Sequence, residues 1–288
     1  MDGRAIVACH VLGTAVLRGL PLPLALACAD RLGPVLARAW PGHRQRAAEN
    51  LRVVLGPGAT KADVERALGR VFANYARYLV GVAWLSGADA RQRQAAIDVS
   101  GLEHLDAGLR AGRGVVMVTA HFGNFDLGVA ALAGRGYPIS AVVETLQPPA
   151  WDRRVQAIRQ RMGLRALRME TDARAMYQTP RDNEVLALVV DRPLASGGVE
   201  VDFFGRTARV PGGAGRIVAA TGAKLLLARV NRVGNRYRGV LSPIKLPQGT
   251  DGQGVTDRVF HALEAMIRQR PEEWYMLRRM WPGPSGGE

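Results

Sequence analysis

The sequence predicts a single α/β domain with a mostly parallel central sheet flanked by helices and preceded by N-terminal amphipathic helices. Beyond residue 95, short apolar runs alternate with stretches of helical periodicity. Near-continuous apolar strands between helices are typical of a sheet that is buried on both faces. No repeat or low-complexity linker separates two halves. We therefore expect residues 1–92, a helical region, and residues 93–288, the α/β core, to form one structural domain.

Two short apolar stretches open the chain and predict helices over Ala5–Leu17 and Leu22–Ala39. Arg18, Pro21 and Pro23 interrupt them well before the roughly 20 consecutive apolar residues that a transmembrane helix needs. No basic segment leads into a cleavage site, so a signal peptide is not expected either. Each helix has an apolar and a basic face. Such helices either lie in a membrane interface or pack on the domain as core helices.

The remaining elements follow from capping and periodicity. A long helix is expected to begin after Thr60, because Asp63 completes a capping box and apolar residues recur at spacings of three and four through Leu85. Strands are expected at Ala96–Val99, Gly114–Ala120, Ile139–Val143, Val185–Val190, Lys224–Val230 and Tyr237–Leu241. Helices are expected at Leu102–Ala111, Asn124–Gly134, Trp151–Met162, Ala173–Gln178, Gly215–Ala220 and Asp257–Arg270.

The composition narrows the classes of partner. The chain has 39 Lys+Arg against 25 Asp+Glu, a net charge of +14, and only three of the cations are lysines. The preference for arginine fits a GC-rich genome, whereas the excess over acids attracts polyanions: nucleic acid, acidic phospholipid or phosphorylated substrates. The two cysteines, Cys9 and Cys28, can build neither a disulfide framework nor a cysteine-based zinc site. A reducing, cytoplasmic setting is expected.

One candidate site lies where the strand GVVMVTA ends at His121. Sites in open α/β sheets gather at the carboxyl ends of strands. A turn at Gly123 would let Asp126, in the first turn of the next helix, return to the imidazole, fix its tautomer and stabilise the imidazolium. The pair would then act as a general base. Backbone amides at Gly123 and Asn124 would face a developing oxyanion, and no G-x-S-x-G elbow supplies a nucleophile.

The H-x4-D spacing alone leaves alternatives open. Such spacings arise by chance, and a histidine at a strand end is as often structural as catalytic. A metal site would need further ligands, but His10, His43, His104 and His261 occur singly and have no ligand-like spacing with His121. We therefore expect no metal.

The wider sequence around this motif resembles a known family. The segment TAHFGNFD resembles the signature of the glycerolipid-type acyltransferase superfamily. The chain is similar to one branch of it, the bacterial lipid A lauroyl/myristoyl acyltransferases together with the phosphatidylinositol mannoside acyltransferases. The resemblance covers nearly the whole chain and is carried by AAENLRVVLG, GLEHLDAGLRAGRGVVMVTAHFGNFD, RQRMG, DRPLASGGVEVDFFGR, VPGGAGRIVAATGAKLLLARV and PEEWYMLRRMWP.

The resemblance implies transfer of a fatty acyl chain from a thioester, acyl-CoA or acyl-carrier protein, to a hydroxyl of a membrane glycolipid or phospholipid such as a phosphatidylinositol mannoside. It implies no bound cofactor, an anionic membrane surface and a lipid acceptor as partners, and a peripheral or shallowly anchored location on the cytoplasmic face. The alternatives are a lipid A (Kdo2-lipid IVA-type) secondary acyltransferase, a thioester or ester hydrolase, and a basic nucleic-acid-binding protein. The last is disfavoured because the basic residues are dispersed and no binding motif occurs.

The resemblance also assigns roles to residues. His121 is the base and Asp126 its orienting partner. Arg159 and Arg161 fall in the basic motif thought to meet phosphate groups, for which a guanidinium fork is suited; otherwise they belong to a solvated helix face.

Three further residues follow from the segment at 191–206. Glu200 matches the acidic residue of GVEV in the mannoside enzymes and is expected to touch the acceptor sugar, so it faces either the site or water. Asp191 and Arg192 end an apolar strand and are expected to bind substrate, or else to form a structural ion pair. Lipid A enzymes usually have an apolar residue where Glu200 stands and a more continuous N-terminal anchor, which leaves the acceptor open.

Overall fold

The computed structural model describes residues 3–20, 22–234 and 236–281. The backbone of residues 1, 2, 21, 235 and 282–288 lies outside that description, as do the side chains of residues 3–6, 9, 10, 17, 18, 22, 23 and 85. The helices are α1 (Gly3–Arg18), α2 (Leu22–Ala39), α3 (Pro41–Leu55), α4 (Lys61–Leu85), α5 (Ala90–Ala95), α6 (Leu102–Arg110), α7 (Phe125–Ala133), α8 (Pro149–Arg161), α9 (Ala173–Arg181), α10 (Gly213–Thr221) and α11 (Gly252–Gln269). The strands are β1 (Ile97–Ser100), β2 (Val115–Thr119), β3 (Ile139–Val143), β4 (Arg165–Arg168), β5 (Val185–Val189), β6 (Val199–Phe203), β7 (Arg206–Val210), β8 (Lys224–Val233) and β9 (Arg236–Pro243).

Seven strands form one sheet in the order β1-β9-β8-β2-β5-β3-β4. All neighbouring pairs in it are parallel except β8 with β9. Strands β6 and β7 form a separate antiparallel hairpin. The predicted class, an α/β domain with a mostly parallel sheet between helices, is confirmed.

The central strand shows why the sheet is buried on both faces. All five residues of β2 are buried. Because side chains alternate along a strand, Val116 and Val118 pack into one apolar core with α10 and α11, while Val115 and Met117 pack into a second core with α6 and α7. A strand that must be apolar on both faces reads as the continuous run VVMV rather than as an alternating pattern.

The N-terminal helices α1 and α2 match the predicted pair. One side of α2 is buried, since Ala25, Leu26 and Ala29 pack against α4. Other apolar side chains of the two helices are exposed, among them Leu12 at 71% and Val16 at 64%. Among the helices of the described residues, none combines the length and the apolarity that crossing a bilayer requires.

Helix α4 begins as predicted. The Thr60 hydroxyl accepts a hydrogen bond from the Asp63 N–H, and the Asp63 carboxylate accepts from the Thr60 N–H at 3.0 Å. The helix is buried on more sides than the predicted stripe, because α1, α2, α3 and α7 all contact it. Phe72 and Ala76, outside that stripe, are therefore also buried.

Several elements were not predicted. Strand β4 is short, lies at the sheet edge and carries two arginines, so it has no apolar run to reveal it. Helix α3 interleaves polar residues with short apolar groups, and α5 has only six residues. Helix α11 begins five residues before the predicted Asp257, because Asp251 caps it by accepting from the Gly254 N–H at 2.8 Å.

Candidate active site

His121 and Asp191 meet because two neighbouring strands end at the same level. Strands β2 and β5 are parallel, and their last residues, Thr119 and Val189, are register partners. His121 and Asp191 each follow two residues later, at the carboxyl edge of the sheet. The imidazole Nδ1 lies 2.7 Å from Asp191 Oδ1, and the His121 main-chain N–H donates to Asp191 Oδ2 at 3.0 Å.

Asp191 is completely buried, and both of its carboxylate oxygens have hydrogen-bond partners. Its Oδ2 also accepts a hydrogen bond from the indole Nε1–H of Trp274 at 2.8 Å. Burial alone would raise the pKa of Asp191, but the charge and hydrogen bonds of His121, together with the Trp274 indole, outweigh it and hold the pKa below its ordinary value. Asp191 is therefore ionised at neutral pH. An acceptor of this kind keeps the proton of His121 on Nδ1 and leaves the Nε2 lone pair available.

The Nε2 side of the ring is the accessible one. The His121 side chain is 24% exposed, and Arg192 Nε lies 3.4 Å from His121 Nε2. Arg192 Nη1 lies 2.5 Å from a carboxylate oxygen of Glu144, at the end of β3. Phe125 meets the imidazole edge-on, with ring centroids 5.7 Å apart. A positive charge is thus held beside the nitrogen that would exchange a proton with a substrate.

Asp126 is not the partner of the imidazole. Its carboxylate accepts a hydrogen bond from the Tyr78 hydroxyl, on α4, at 2.6 Å. The expected return of Asp126 to His121 is therefore corrected, because Asp191 occupies the Nδ1 side and Asp126 faces the N-terminal helices instead. Burial, together with the neighbouring Asp126 charge, raises the pKa of Tyr78 well above its usual range, so the phenol is a neutral donor.

The two backbone amides expected to face an oxyanion already donate hydrogen bonds within the protein. The Gly123 N–H donates to the Glu273 carbonyl at 2.9 Å, and the Asn124 N–H donates to the Val230 carbonyl at 3.2 Å. Gly123 has a φ of +58°, and a Cβ there would overlap the Val230 carbonyl, so the turn requires glycine. The Asn124 side chain caps α7 by accepting from the Leu127 N–H at 3.1 Å. Both residues therefore shape the loop.

The two arginines of the RQR segment, Arg159 and Arg161, differ in their burial. Arg159 is half-buried, and its charge offsets a small part of the rise in the pKa of Tyr78 that burial and Asp126 cause. Its Nη1 is buried and has no hydrogen-bond partner among the described residues. Arg161 is exposed. Of the two, only Arg159 acts electrostatically on Tyr78, the residue that bonds to Asp126.

Glu200 lies away from the imidazole contacts described above. It stands on β6, is more than half exposed and pairs with Arg209 on β7. Of the two directions that strand alternation allowed, its side chain takes the one towards water.

Three residues at this site have no counterpart in the sequence-based prediction: Trp274, Tyr78 and Glu144. Trp274 lies in the quoted segment PEEWYMLRRMWP, but nothing in that string indicates that the indole reaches a strand end 83 residues earlier. Tyr78 belongs to the residues that recur at spacings of three and four along the helix predicted after Thr60, and there it was expected only to pack. Glu144 directly follows β3. These three side chains come from segments far apart in the sequence, and only the tertiary fold brings them to the site.

The chain matches known proteins along most of its length. The family model described as bacterial lipid A biosynthesis acyltransferase matches residues 3–282. A phosphatidylinositol mannoside acyltransferase of Mycolicibacterium smegmatis is 29% identical over 246 residues, 83% of this chain and 80% of that protein. The protein of the same name from Mycobacterium tuberculosis H37Rv is 30% identical over 247 residues, 83% of this chain and 78% of that protein. A lipid A biosynthesis acyltransferase of Haemophilus influenzae is 21% identical over 257 residues, 86% of this chain and 80% of that protein.

An α/β sheet with a histidine–carboxylate pair at its carboxyl edge, together with these matches, defines an acyltransferase of lipid or glycolipid biosynthesis. The chain belongs to the bacterial lipid A biosynthesis acyltransferase family, and the two phosphatidylinositol mannoside enzymes are similar to it at 29–30% identity. The expected family membership is thereby confirmed.

Proposed function

We propose that this acyltransferase moves a fatty acyl chain from an acyl thioester to a hydroxyl of a membrane glycolipid or phospholipid, such as a phosphatidylinositol mannoside. The observation that carries the proposal is the 2.7 Å contact between His121 Nδ1 and the buried Asp191, which leaves Nε2 on the exposed side. The higher identity to the mannoside enzymes, 29–30% against 21%, favours a mannoside-type acceptor over a lipid A precursor.

The proposed reaction is direct transfer. His121 Nε2 takes the proton of the acceptor hydroxyl as its oxygen attacks the thioester carbonyl and the new C–O bond forms. The tetrahedral intermediate then collapses, the C–S bond breaks, and the thiolate takes the proton back from Nε2. Asp191 holds the ring and stabilises the imidazolium between these steps. The described contacts of the ring involve Asp191, Arg192 and Phe125, which carry no hydroxyl or thiol for an acyl-enzyme.

Arg192 is the proposed source of charge for the oxyanion. Its guanidinium lies beside Nε2 and is held there by Glu144. The incoming hydroxyl displaces the long 3.4 Å contact with Nε2 and leaves a positive group next to the developing negative charge. The first amides of α7, at Phe125 and Asp126, replace those of Gly123 and Asn124 in this role, because the first N–H groups of a helix have no partner within it.

Arg159 is the proposed contact for a phosphate of donor or acceptor. Its buried Nη1 without a described partner fits an anion that arrives with the substrate. Arg161 and Glu200, both exposed, can meet only parts of a substrate that extend over the surface. No bound cofactor takes part, and acyl-CoA or acyl-carrier protein serves as co-substrate.

The protein is proposed to bind the cytoplasmic face of the membrane peripherally, through α1 and α2. Exposed apolar side chains, including Leu12 and Val16, would enter the interface of an anionic bilayer. The exposed Arg31 and Arg38 of α2 and the net charge of +14 complement anionic headgroups.

The transferase is tested with purified protein and radiolabelled acyl-CoA or acyl-carrier protein, offered separately with phosphatidylinositol mannoside and with a lipid A precursor. We expect label in the mannoside and a stoichiometric release of thiol. His121→Ala should lower the transfer rate about 10²- to 10⁴-fold. His104→Ala, at an exposed histidine on α6, is the matched control and should leave it unchanged.

Three results contradict parts of this proposal. Unchanged transfer by His121→Ala would exclude the base. Label in the lipid A precursor alone would make this chain a lipid A secondary acyltransferase. Thiol release that no lipid acceptor stimulates would identify a thioesterase.

Membrane binding is tested by co-sedimentation with vesicles of anionic and of zwitterionic lipid. The wild-type protein should sediment with the anionic vesicles and show no affinity for duplex DNA. The double variant Leu12→Glu/Val16→Glu should lose most of this binding, whereas Val233→Glu, at an exposed apolar residue that ends β8, should not. Binding to DNA in preference to vesicles would overturn the assignment.

A further inference from the structure

The segment Pro271–Met280, named here the strap, pairs with the loop that joins β2 to α7. This loop, Ala120–Asn124, is called the His121 loop. The Tyr275 N–H donates to the His121 carbonyl at 2.7 Å, and the Glu273 carbonyl accepts from the Gly123 N–H at 2.9 Å. Between them Trp274 forms an antiparallel bridge with Phe122. The strap therefore fixes the main chain from the His121 carbonyl to the Gly123 N–H.

The strap also supplies the donor that orients the carboxylate. The Trp274 side chain is 2% exposed, and its Nε1–H lies 2.8 Å from Asp191 Oδ2. The same oxygen accepts the His121 main-chain N–H. Two donors on Oδ2 fix the rotation of the carboxylate and leave Oδ1 facing Nδ1. Because Asp191 is fully buried, water cannot replace a lost donor.

Packing holds the indole at the required angle. The Trp274 ring stacks with Phe204 at an interplanar angle of 26° and meets Phe203 edge-on at 85°. The strap backbone is anchored separately by the buried Asn50 of α3, whose Nδ2 donates to the carbonyls of Met276 at 2.9 Å and Arg278 at 2.7 Å. The position of Nε1 is thus determined before any substrate binds.

We infer that Trp274 is a positioning residue for acyl transfer: it orients Asp191, which in turn orients His121. The inference rests on the proposed function, since it assigns to His121 the role of base. Trp274 is 2% exposed and reaches the imidazole only through Asp191. Its removal should therefore lower the fraction of His121 in the productive tautomer and leave substrate binding unchanged.

The test compares two tryptophans of the same aromatic cluster. Trp281 lies 6.3 Å from Trp274 between ring centroids, and its Nε1 is buried without a hydrogen-bond partner among the described residues. Trp274→Phe and Trp281→Phe therefore remove similar volumes, but only the first removes a donor to Asp191. We expect Trp274→Phe to lower kcat about tenfold to hundredfold with KM within about twofold, and Trp281→Phe to change kcat less than about threefold.

A second variant separates the hydrogen bond from packing. Site-specific replacement of Trp274 by benzothienylalanine keeps the ring shape and removes only the Nε1–H, so it tests the inference even where Trp274→Phe folds poorly. ¹⁵N NMR of the His121 ring should show protonation at Nδ1 in the wild type and a mixture of tautomers in both Trp274 variants. This readout needs no substrate and therefore stands even where the proposed transferase activity fails.

Two outcomes overturn the inference. One is wild-type kcat and tautomer in the benzothienylalanine protein. The other is an equal loss in Trp281→Phe, which would assign the effect to packing of the aromatic cluster.

Discussion

The two sides of the His121 loop are built differently. On the inner side, Asp191 has no exposed surface and accepts hydrogen bonds from the His121 ring, the His121 main chain and Trp274. On the outer side, Asp126 is half-buried and accepts from Tyr78. The carboxylate closest in sequence thus holds the loop to the N-terminal helices, while the carboxylate of a neighbouring strand serves the imidazole.

The sharpest test of this difference is Asp191→Asn. Two N–H donors face Oδ2, so the amide oxygen must take that position and its NH₂ must point at His121 Nδ1. This would force the proton of His121 onto Nε2, the wrong tautomer for a base. We expect kcat for acyl transfer to fall about 10³- to 10⁴-fold, as wrong-tautomer variants of catalytic triads do. Steady-state kinetics of transfer measures the loss.

Folding must be intact for this result to count, so circular dichroism and thermal denaturation accompany the kinetics. Retention of more than a tenth of the wild-type kcat would show that Asp191 does not serve the ring.

The inner side also depends on the anchoring of the strap, which Asn50→Ala removes. The Asn50 side chain is 2% exposed, donates to two strap carbonyls and accepts from the Met280 N–H at 3.0 Å. Alanine removes the partner of three backbone groups, two of them in buried hydrogen bonds and one, at Arg278, in a part-buried one. The free energy of unfolding should fall by about 2–4 kcal/mol, as measured by urea denaturation.

Gln45→Ala is the matched control on the same helix. Gln45 is exposed and pairs only with Glu49 in the described structure. It should change the free energy of unfolding by less than about 0.5 kcal/mol. Equal effects of the two variants would remove Asn50 as the anchor of the strap.

Away from the His121 loop, Asp152 on α8 should contribute to stability in a pH-dependent way. Arg168 donates to its carboxylate at 2.7 Å, and this hydrogen bond, with those from Leu146 and Gln156, lowers the pKa of Asp152 to about 2. A lowered folded-state pKa stabilises the protein above the unfolded-state pKa of about 4 and ceases to do so as the pH falls towards 2.

Asp152→Asn should therefore cost at most about 2 kcal/mol near pH 7. The difference from the wild type should narrow as the pH is lowered from 5 to 3 in denaturant titrations. A difference that stays constant with pH would mean that the carboxylate charge does not matter. Transfer kinetics at pH 7 should stay within about twofold, since Asp152 does not contact His121.

Of the two carboxylates beside the His121 loop, the smaller effect on kcat is expected at Asp126, the one in the H-x4-D motif. Asp126→Asn keeps an acceptor for the Tyr78 hydroxyl and does not alter the contacts of the imidazole, so kcat should fall only about tenfold. Tyr78→Phe should have a comparable effect through the same hydrogen bond. If Asp126→Asn is as damaging as Asp191→Asn, the outer carboxylate acts on the reacting groups directly and the comparison of the two sides fails.

Much of the fold was predictable from local pattern. The runs at Gly114–Ala120 and Val185–Val190 became the central strands β2 and β5, because strands buried on both faces must be apolar throughout. Strand β4 has the sequence Arg-Ala-Leu-Arg at the sheet edge, and only its leucine is buried. Such a strand carries no signal of its own and forms only because β3 offers a pairing edge.

The site was predictable only in its individual members. His121, Asp191 and Arg192 were each named because they end apolar strands. The pairing depended on strand order, since β2 and β5 are neighbours although β3 and β4 lie between them in the chain. Because only four residues lie between His121 and Asp126, the sequence favoured Asp126 as the partner of the imidazole. The register of β2 and β5 instead places Asp191 in that position. Sequence proximity was the wrong guide because the fold supplies the nearer carboxylate.

The hydrogen bonds of this site join residues that are distant along the chain: 70 residues separate His121 from Asp191, 83 separate Asp191 from Trp274, and 226 separate Asn50 from Met276. Contacts of such long range form late, after the loops between them have closed. Helices α1–α4 can regain their structure early in refolding, while catalytic competence must wait for the whole sheet. Enzymatic activity therefore reports the cooperative folding of the core, and it should return with the slowest refolding phase.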